Sequence, residues 1–90
     1  MLKSKEITIG SDVYTVVELS MRDMSPFMSR LTDGSDPMGT QMEMLTKCVY
    51  KDGQLMGDAV LDLGISSFTE LTTAMMEVIG FGAASEEGND

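Results

Sequence analysis

The chain has 90 residues, with 15 acidic and 6 basic side chains, and a net charge of −9. A chain this short forms one small domain with a thin core, because folding buries only about 60–65% of the surface that the unfolded form exposes. The acidic balance argues against binding to nucleic acids or anionic membranes, because affinity for both comes from lysine and arginine.

Two short strands are predicted at the start of the chain. Residues 6–9 alternate apolar and polar side chains, and residues 13–17 are rich in β-branched and aromatic ones. The three residues between them favour a turn, so the segment is predicted to form a β-hairpin. A lone hairpin is marginal in water and must pack on another element. The candidates for its buried face are Ile7, Ile9, Tyr14 and Val16.

A first helix is predicted over residues 21–32. Ser20 and Asp23 have the spacing of a capping box at its N-terminus. Pro26 is expected to disturb this helix, because a proline past the first turn removes a backbone donor and clashes with the preceding turn. We therefore expect a helix with an irregular first turn.

A loop rich in turn-forming residues separates this helix from a second one. The second helix is predicted to begin near Pro37 or Thr40 and to end at Val49, with Asp36 or Thr40 as its cap. Residues 51–54 read Lys-Asp-Gly-Gln and are predicted to form a turn.

The last predicted elements are a short helical turn and a longer helix. Residues 58–63 are predicted to form the turn. A second capping box, which starts at Ser67, is predicted to open a helix over residues 68–79. Gly80 is predicted to end that helix.

Together these elements predict an α+β fold, in which an N-terminal β-hairpin packs on a small, mostly α-helical domain of three to four helices. The domain is predicted to span residues 1–82. Residues 83–90 are small and acidic and are predicted to form a flexible tail. Charge is uneven, because every base lies within residues 1–51. A partner of the second half should therefore be neutral or basic.

Compartment and membrane topology are predicted from absences in the sequence. Cys48 is the single cysteine and has no partner for an internal disulfide, which favours a reducing compartment. No apolar run reaches the roughly 18 residues that a spanning helix needs, and the N-terminus lacks the apolar segment of a signal peptide. We expect a cytoplasmic protein with no membrane partner.

No pattern in the sequence predicts catalysis, a metal site or a cofactor. The chain has no histidine, the commonest general base and transition-metal ligand. Cys48 therefore has no histidine to activate it, and we expect it to be buried or at an interface. A calcium loop read from Asp33 fails at its sixth and twelfth positions, which are both methionine. Residues 62–68 resemble the phosphopantetheine-bearing stretch of acyl carrier proteins, but the later helices of that family are missing, and Ser67 is interpreted as a helix N-cap.

Methionine is unusually frequent, with ten in the chain. Most of the methionines fall on apolar helical stripes, which are expected to form the core. Methionine is also flexible and polarizable, and so it suits surfaces that adapt to a partner. Surplus apolar area on a small acidic domain indicates self-association or partner binding. The candidate partner- or self-binding residues are Met21, Met24, Met28, Met44, Cys48, Met76 and Phe81.

Across roughly residues 5–82, the order of parts resembles the tail assembly chaperones of long-tailed bacteriophages. Those proteins typically run from a strand–turn–strand unit through Glu-Leu-Thr-x-Arg-Asp into a helix, and residues 18–23 here read Glu-Leu-Ser-Met-Arg-Asp. They later show a turn that begins with Cys-Val and contains Asp-Gly, and residues 48–55 here read Cys-Val-Tyr-Lys-Asp-Gly-Gln-Leu. Pro26 and the loop at residues 33–39 depart from the family pattern.

The resemblance implies a function without catalysis. A protein of this family binds the long, mostly helical tape-measure protein, keeps it soluble and assists tail tube assembly in the host cytoplasm. The resemblance also implies contact with the tail tube protein and self-association into a spiral or ring-like homo-oligomer. The alternative is a small acidic phage protein that mimics DNA and inhibits a host protein. That function needs carboxylates spaced like phosphates on a rigid face, whereas the acids here are interleaved with apolar stripes.

Overall fold

In the computed structural model, which describes residues 2–80, a four-stranded antiparallel sheet packs against a layer of helices. The elements are β1 (Ser4–Ile9), β2 (Asp12–Val17), α1 (Met21–Asp33), α2 (Pro37–Cys48), β3 (Val49–Lys51), β4 (Gln54–Leu55), a 3₁₀ helix (Gly57–Asp62) and α3 (Ile65–Ile79). The strands lie in the order β1-β2-β3-β4, so the chain leaves the sheet after β2, forms α1 and α2, and returns beside β2. The predicted α+β fold class is confirmed.

The N-terminal hairpin forms as predicted. Its register places Ile7 opposite Tyr14, and cross-strand partners share one face of the sheet. Tyr14 and Val16 are buried, while Ile7 and Ile9 are partly buried against them. The helices cover this face, and α3 is tied to β1 by an ion pair between Lys5 and Glu77.

A second hairpin, β3–β4, extends the sheet beyond what the sequence predicted. Asp52 and Gly53 form its turn with positive φ angles of 55° and 79°, which is the backbone that an Asp-Gly hairpin favours. Val49 is fully buried and pairs with Val16 of the first hairpin. The sequence predicted the turn but missed the strands, which are only three and two residues long.

Helix α1 is continuous through Pro26, so the expected irregular first turn is wrong. The Ser20 hydroxyl accepts from the Asp23 N–H at 3.1 Å, which confirms the N-cap. Pro26 cannot donate to the carbonyl of Arg22, but both residues are exposed, so water can satisfy that carbonyl.

Helix α3 begins at Ile65, three residues before the predicted start. Gly64 is its N-cap with extended backbone and no side-chain cap, which glycine tolerates well. The interpretation of Ser67 as the N-cap is therefore wrong, because Ser67 lies inside the first turn. Gly80 ends the helix with a φ of 103°, as predicted.

One core joins the sheet to all the helices. Its buried residues are Tyr14, Val16, Phe27, Met44, Leu45, Cys48, Val49, Val60, Leu71, Ala74, Met75 and Val78.

Candidate interaction surfaces

An open apolar groove runs along α1 and is closed on one side by the end of α3. Its volume is about 460 Å³. Met21 is 91% exposed and Met28 is 49% exposed, whereas Met24 is partly buried against the core. We call this surface the methionine groove; its lining residues are Glu18, Leu19, Met21, Met24, Ser25, Met28 and Ile79.

The helical repeat of α1 explains why Met21 and Met28 face solvent. Phe27 is buried and anchors the helix, and Met24, Met28 and Met21 lie about 60°, 100° and 120° from it around the helix axis, all on the same side. On the other side of Phe27, towards α2, the Arg30 guanidinium lies 5.9 Å from the Phe27 ring centroid and donates to a Glu43 carboxylate oxygen at 2.9 Å. That hydrogen bond raises the pKa of Arg30 and lowers the pKa of Glu43. Helix α1 is thus held from one side, and its methionine stripe is left open on the other.

Two predicted contact residues belong to the core instead. Met44 is fully buried and Cys48 is 1% exposed, so the expectation that these two side chains form a contact surface is wrong. The expectation that Cys48 is buried or at an interface is confirmed in its buried form. The physical reason is the second hairpin: β3 widens the sheet and brings Val49 into the interior beside them, so α2 has more apolar surface to cover. Burial raises the pKa of the Cys48 thiol to about 12, which suppresses the reactive thiolate near neutral pH.

The other predicted contact residues divide between the groove and its surroundings. Met21, Met24 and Met28 line the methionine groove together. Met76 is partly buried on α3, one turn before Ile79, and it does not line the groove. Phe81 and the predicted tail at residues 83–90 lie outside the described residues.

A second apolar groove, which the sequence did not predict, lies between α2, the 3₁₀ helix and the start of α3. Its volume is about 260 Å³. Ile65 is 72% exposed, Met38 is 55% exposed and Leu61 is 42% exposed at its rim. We call this surface the Ile65 groove; its lining residues are Met38, Met42, Leu45, Val60, Leu61, Leu63, Ile65, Phe68 and Leu71.

The two grooves lie at opposite ends of α3. Ile65 opens the helix and lines one groove, while Ile79 closes it and lines the other. Fourteen residue steps at about 1.5 Å each separate these two positions by roughly 21 Å. Each groove is therefore a separate surface.

Ion pairs within residues 2–80 leave the acids near the Ile65 groove unpaired. The three ion pairs are Lys5–Glu77, Arg30–Glu43 and Lys51–Asp12, the last with an N–O distance of 3.3 Å. The Asp12 carboxylate raises the pKa of Lys51. Asp58 and Asp62 are exposed and join none of these pairs.

Among residues 2–80, no group of three or more His, Cys, Asp or Glu side chains is arranged so that it could hold a metal ion. None of the helices there combines the length and the apolar character needed to cross a membrane. Comparison with models of protein families, with curated protein sequences and with solved structures finds no match to this chain.

Proposed function

We propose that this protein is a bacteriophage tail assembly chaperone, which binds the tape-measure protein in the host cytoplasm, keeps it soluble and assists tail tube assembly. The methionine groove is the observation that carries this proposal. It offers the exposed, adaptable side chains of Met21 and Met28 beside the partly buried Met24, on a helix that the buried Phe27 anchors to the core. The resemblance of the element order to that family points the same way.

The groove suits the apolar stripe of a partner helix. In helix-in-groove recognition the bound helix carries apolar anchors at i, i+3, i+4 and i+7. Met21, Met24 and Met28 form a stripe of the same helical period along α1, on which such anchors can pack. Full burial of one such side chain contributes about 1.5–3 kcal/mol, so a few partial contacts give binding that reverses readily. Reversal is required, because the chaperone has to leave the tape-measure protein as the tube forms around it.

The net charge supports the solubilising part of the proposal. A charge of −9 adds repulsion between complexes and opposes their precipitation. The proposal includes contact with the tail tube protein and self-association into a spiral or ring. Such an assembly needs a head-to-tail interface, in which two different surfaces of the chain meet.

Co-expression with the longest predicted-helical protein encoded just downstream tests the proposal. We expect that protein to become soluble and to co-purify. A Met21→Gln/Met28→Gln variant should fold normally but lose most of the co-purified partner, because it makes the groove polar while keeping its shape. The matched control is Val13→Thr/Leu55→Gln, since Val13 and Leu55 are each 48% exposed and line neither groove.

Two results would count against the proposal. One is a downstream protein that stays insoluble beside a folded, monomeric chaperone candidate. The other is equal loss of co-purification in the groove variant and in the control. Capture of a basic host protein by a monomer or dimer of this chain would favour the DNA-mimic inhibitor instead.

A further inference from the structure

The Ile65 groove combines a buried apolar floor with an exposed apolar rim. Its floor is apolar and buried, with Leu45, Val60 and Leu71 all at 5% exposure or less. Its rim carries Ile65, an apolar side chain that is 72% exposed. The groove has a volume of about 260 Å³, which is room for a few apolar side chains.

The length of the groove matches a short helix. Met38, Met42 and Leu45 line one wall at helical spacing along α2. From Met38 to Leu45 the wall extends about 10 Å, which equals two turns of a helix laid beside it. Two turns present two or three apolar side chains on one face.

Two acidic side chains give the rim of the Ile65 groove a negative charge. Asp58 lies one 3₁₀ turn before Leu61, so the two side chains lie on the same face of that helix. Asp62 stands between the lining residues Leu61 and Leu63, and both aspartates are exposed without an ion pair among residues 2–80. The negative charge on this rim is therefore uncompensated.

Neither Lys47 of α2 nor Arg30 of α1 forms an ion pair with this rim. Lys47 lies two residues beyond Leu45, about 200° away around the axis of α2. Arg30 is bound to Glu43 on the side of α2 that faces α1. Between residue 52 and the end of the chain there is no base at all.

We propose that the Ile65 groove binds a basic amphipathic helix, whose apolar residues enter the groove and whose lysine or arginine side chains pair with Asp58 and Asp62. The proposal concerns a different surface from the methionine groove and does not rest on the proposed function. A helix with acidic flanks would bring like charges together at the rim and is rejected.

The experiment uses the full chain and two synthetic 18-residue helical peptides. Both peptides carry leucines at i, i+3, i+4 and i+7; one has lysines on the remaining face and the other has glutamates. Binding is measured by fluorescence anisotropy at about 20 mM and about 200 mM NaCl. We expect the lysine peptide to bind at least tenfold more tightly than the glutamate peptide, and more weakly at the higher salt concentration.

Matched variants locate the contact. Asp58→Asn/Asp62→Asn should weaken the lysine peptide about three- to tenfold and flatten its salt dependence. Asp52→Asn/Glu70→Gln removes the same charge from positions outside the groove and should change little. Ile65→Ser should weaken binding without unfolding the chain, and NMR shift changes should centre on residues 61–68.

Several outcomes would overturn the proposal. The glutamate peptide could bind as well as the lysine peptide, or neither peptide could bind. Equal effects of the two charge variants would show that only net charge matters. Shift changes centred on the methionine groove would place the contact elsewhere.

Discussion

Methionine serves two purposes in this chain, and burial separates them. Met44 and Met75 are fully buried, where an unbranched side chain fills the irregular space between sheet and helices. Met21 and Met28 have most or half of their surface in solvent. Helical spacing alone does not distinguish the two sets, because both fall on apolar stripes. The distinction depends on which elements cover each stripe.

Truncation of one methionine from each set gives the first prediction. Met44→Ala should lower the free energy of unfolding by about 2–5 kcal/mol, because it leaves a cavity in the core. Met28→Ala should change it by less than about 1 kcal/mol. Urea unfolding followed by circular dichroism measures both values. Similar values for the two variants would mean that Met44 is not a core residue in solution.

The buried thiol of Cys48 gives a prediction about pH. Burial raises its pKa from 9.0 to about 12, so between these values the folded chain keeps a proton that the unfolded chain releases. The unfolded state then binds fewer protons, and stability falls as pH rises. The free energy of unfolding should fall above pH 9 by about 1.4 kcal/mol per pH unit more in the wild type than in Cys48→Ala. Parallel curves for the two proteins would contradict this.

Among the secondary-structure elements, those features that depend on a few neighbouring residues were predicted from the sequence. The first hairpin, the Ser20 cap and the Gly80 stop each depend on a few neighbouring residues and were predicted. The β3–β4 strands were missed although Asp-Gly marked their turn, because strands of three and two residues show too little alternation to detect. β3 is stabilised by pairing with β2, and β4 by pairing with β3, and the sequence does not show these pairings.

The start of α2 gives a prediction about coupling. Asp36 accepts from the Gly39 N–H at 3.2 Å, and a Cβ at position 39 would overlap that carboxylate. In the wild type, Gly39→Ala should therefore break this cap, which costs about 1 kcal/mol of stability. That cost should cancel the stability gained from the higher helix propensity of alanine. In an Asp36→Ala background the same change should stabilise by about 0.5–1 kcal/mol. Urea midpoints of the wild type, the two single variants and the double variant give the coupling between positions 36 and 39. Equal effects of Gly39→Ala in both backgrounds would contradict the prediction.

The grooves show how far the sequence predicts a surface. The shared stripe of Met21, Met24 and Met28 could be predicted, because the three come from one helix whose repeat is visible in the sequence, but the repeat does not show that this stripe is left open. The Ile65 groove could not, because its walls come from α2, the 3₁₀ helix and α3, which only the fold brings together. Met38 and Met42 are absent from the predicted contact residues, and nothing in the local sequence marks Ile65 as exposed.

For the whole molecule, charge repulsion outweighs the ion pairs. The net charge is −9, while the described ion pairs join exposed side chains and contribute about 0–1 kcal/mol each. Salt should therefore stabilise the fold, because it screens the repulsion. We expect the urea midpoint to rise between about 10 and 500 mM NaCl, with a smaller rise in Asp58→Asn/Asp62→Asn. A midpoint that falls with salt would show that the ion pairs dominate.

The separation of the two grooves by the length of α3 has a consequence for avidity. If one long partner occupies both grooves, its second contact is intramolecular and proceeds at an effective concentration in the millimolar range for a short flexible linker. Two weak sites can then hold the partner about 10²–10⁴-fold more tightly than either alone, yet each contact still opens rapidly. A span of roughly 21 Å needs at least about six extended residues between the two bound segments. The length of α3 thus sets the distance between the two partner segments that one copy of the chain can hold at the same time.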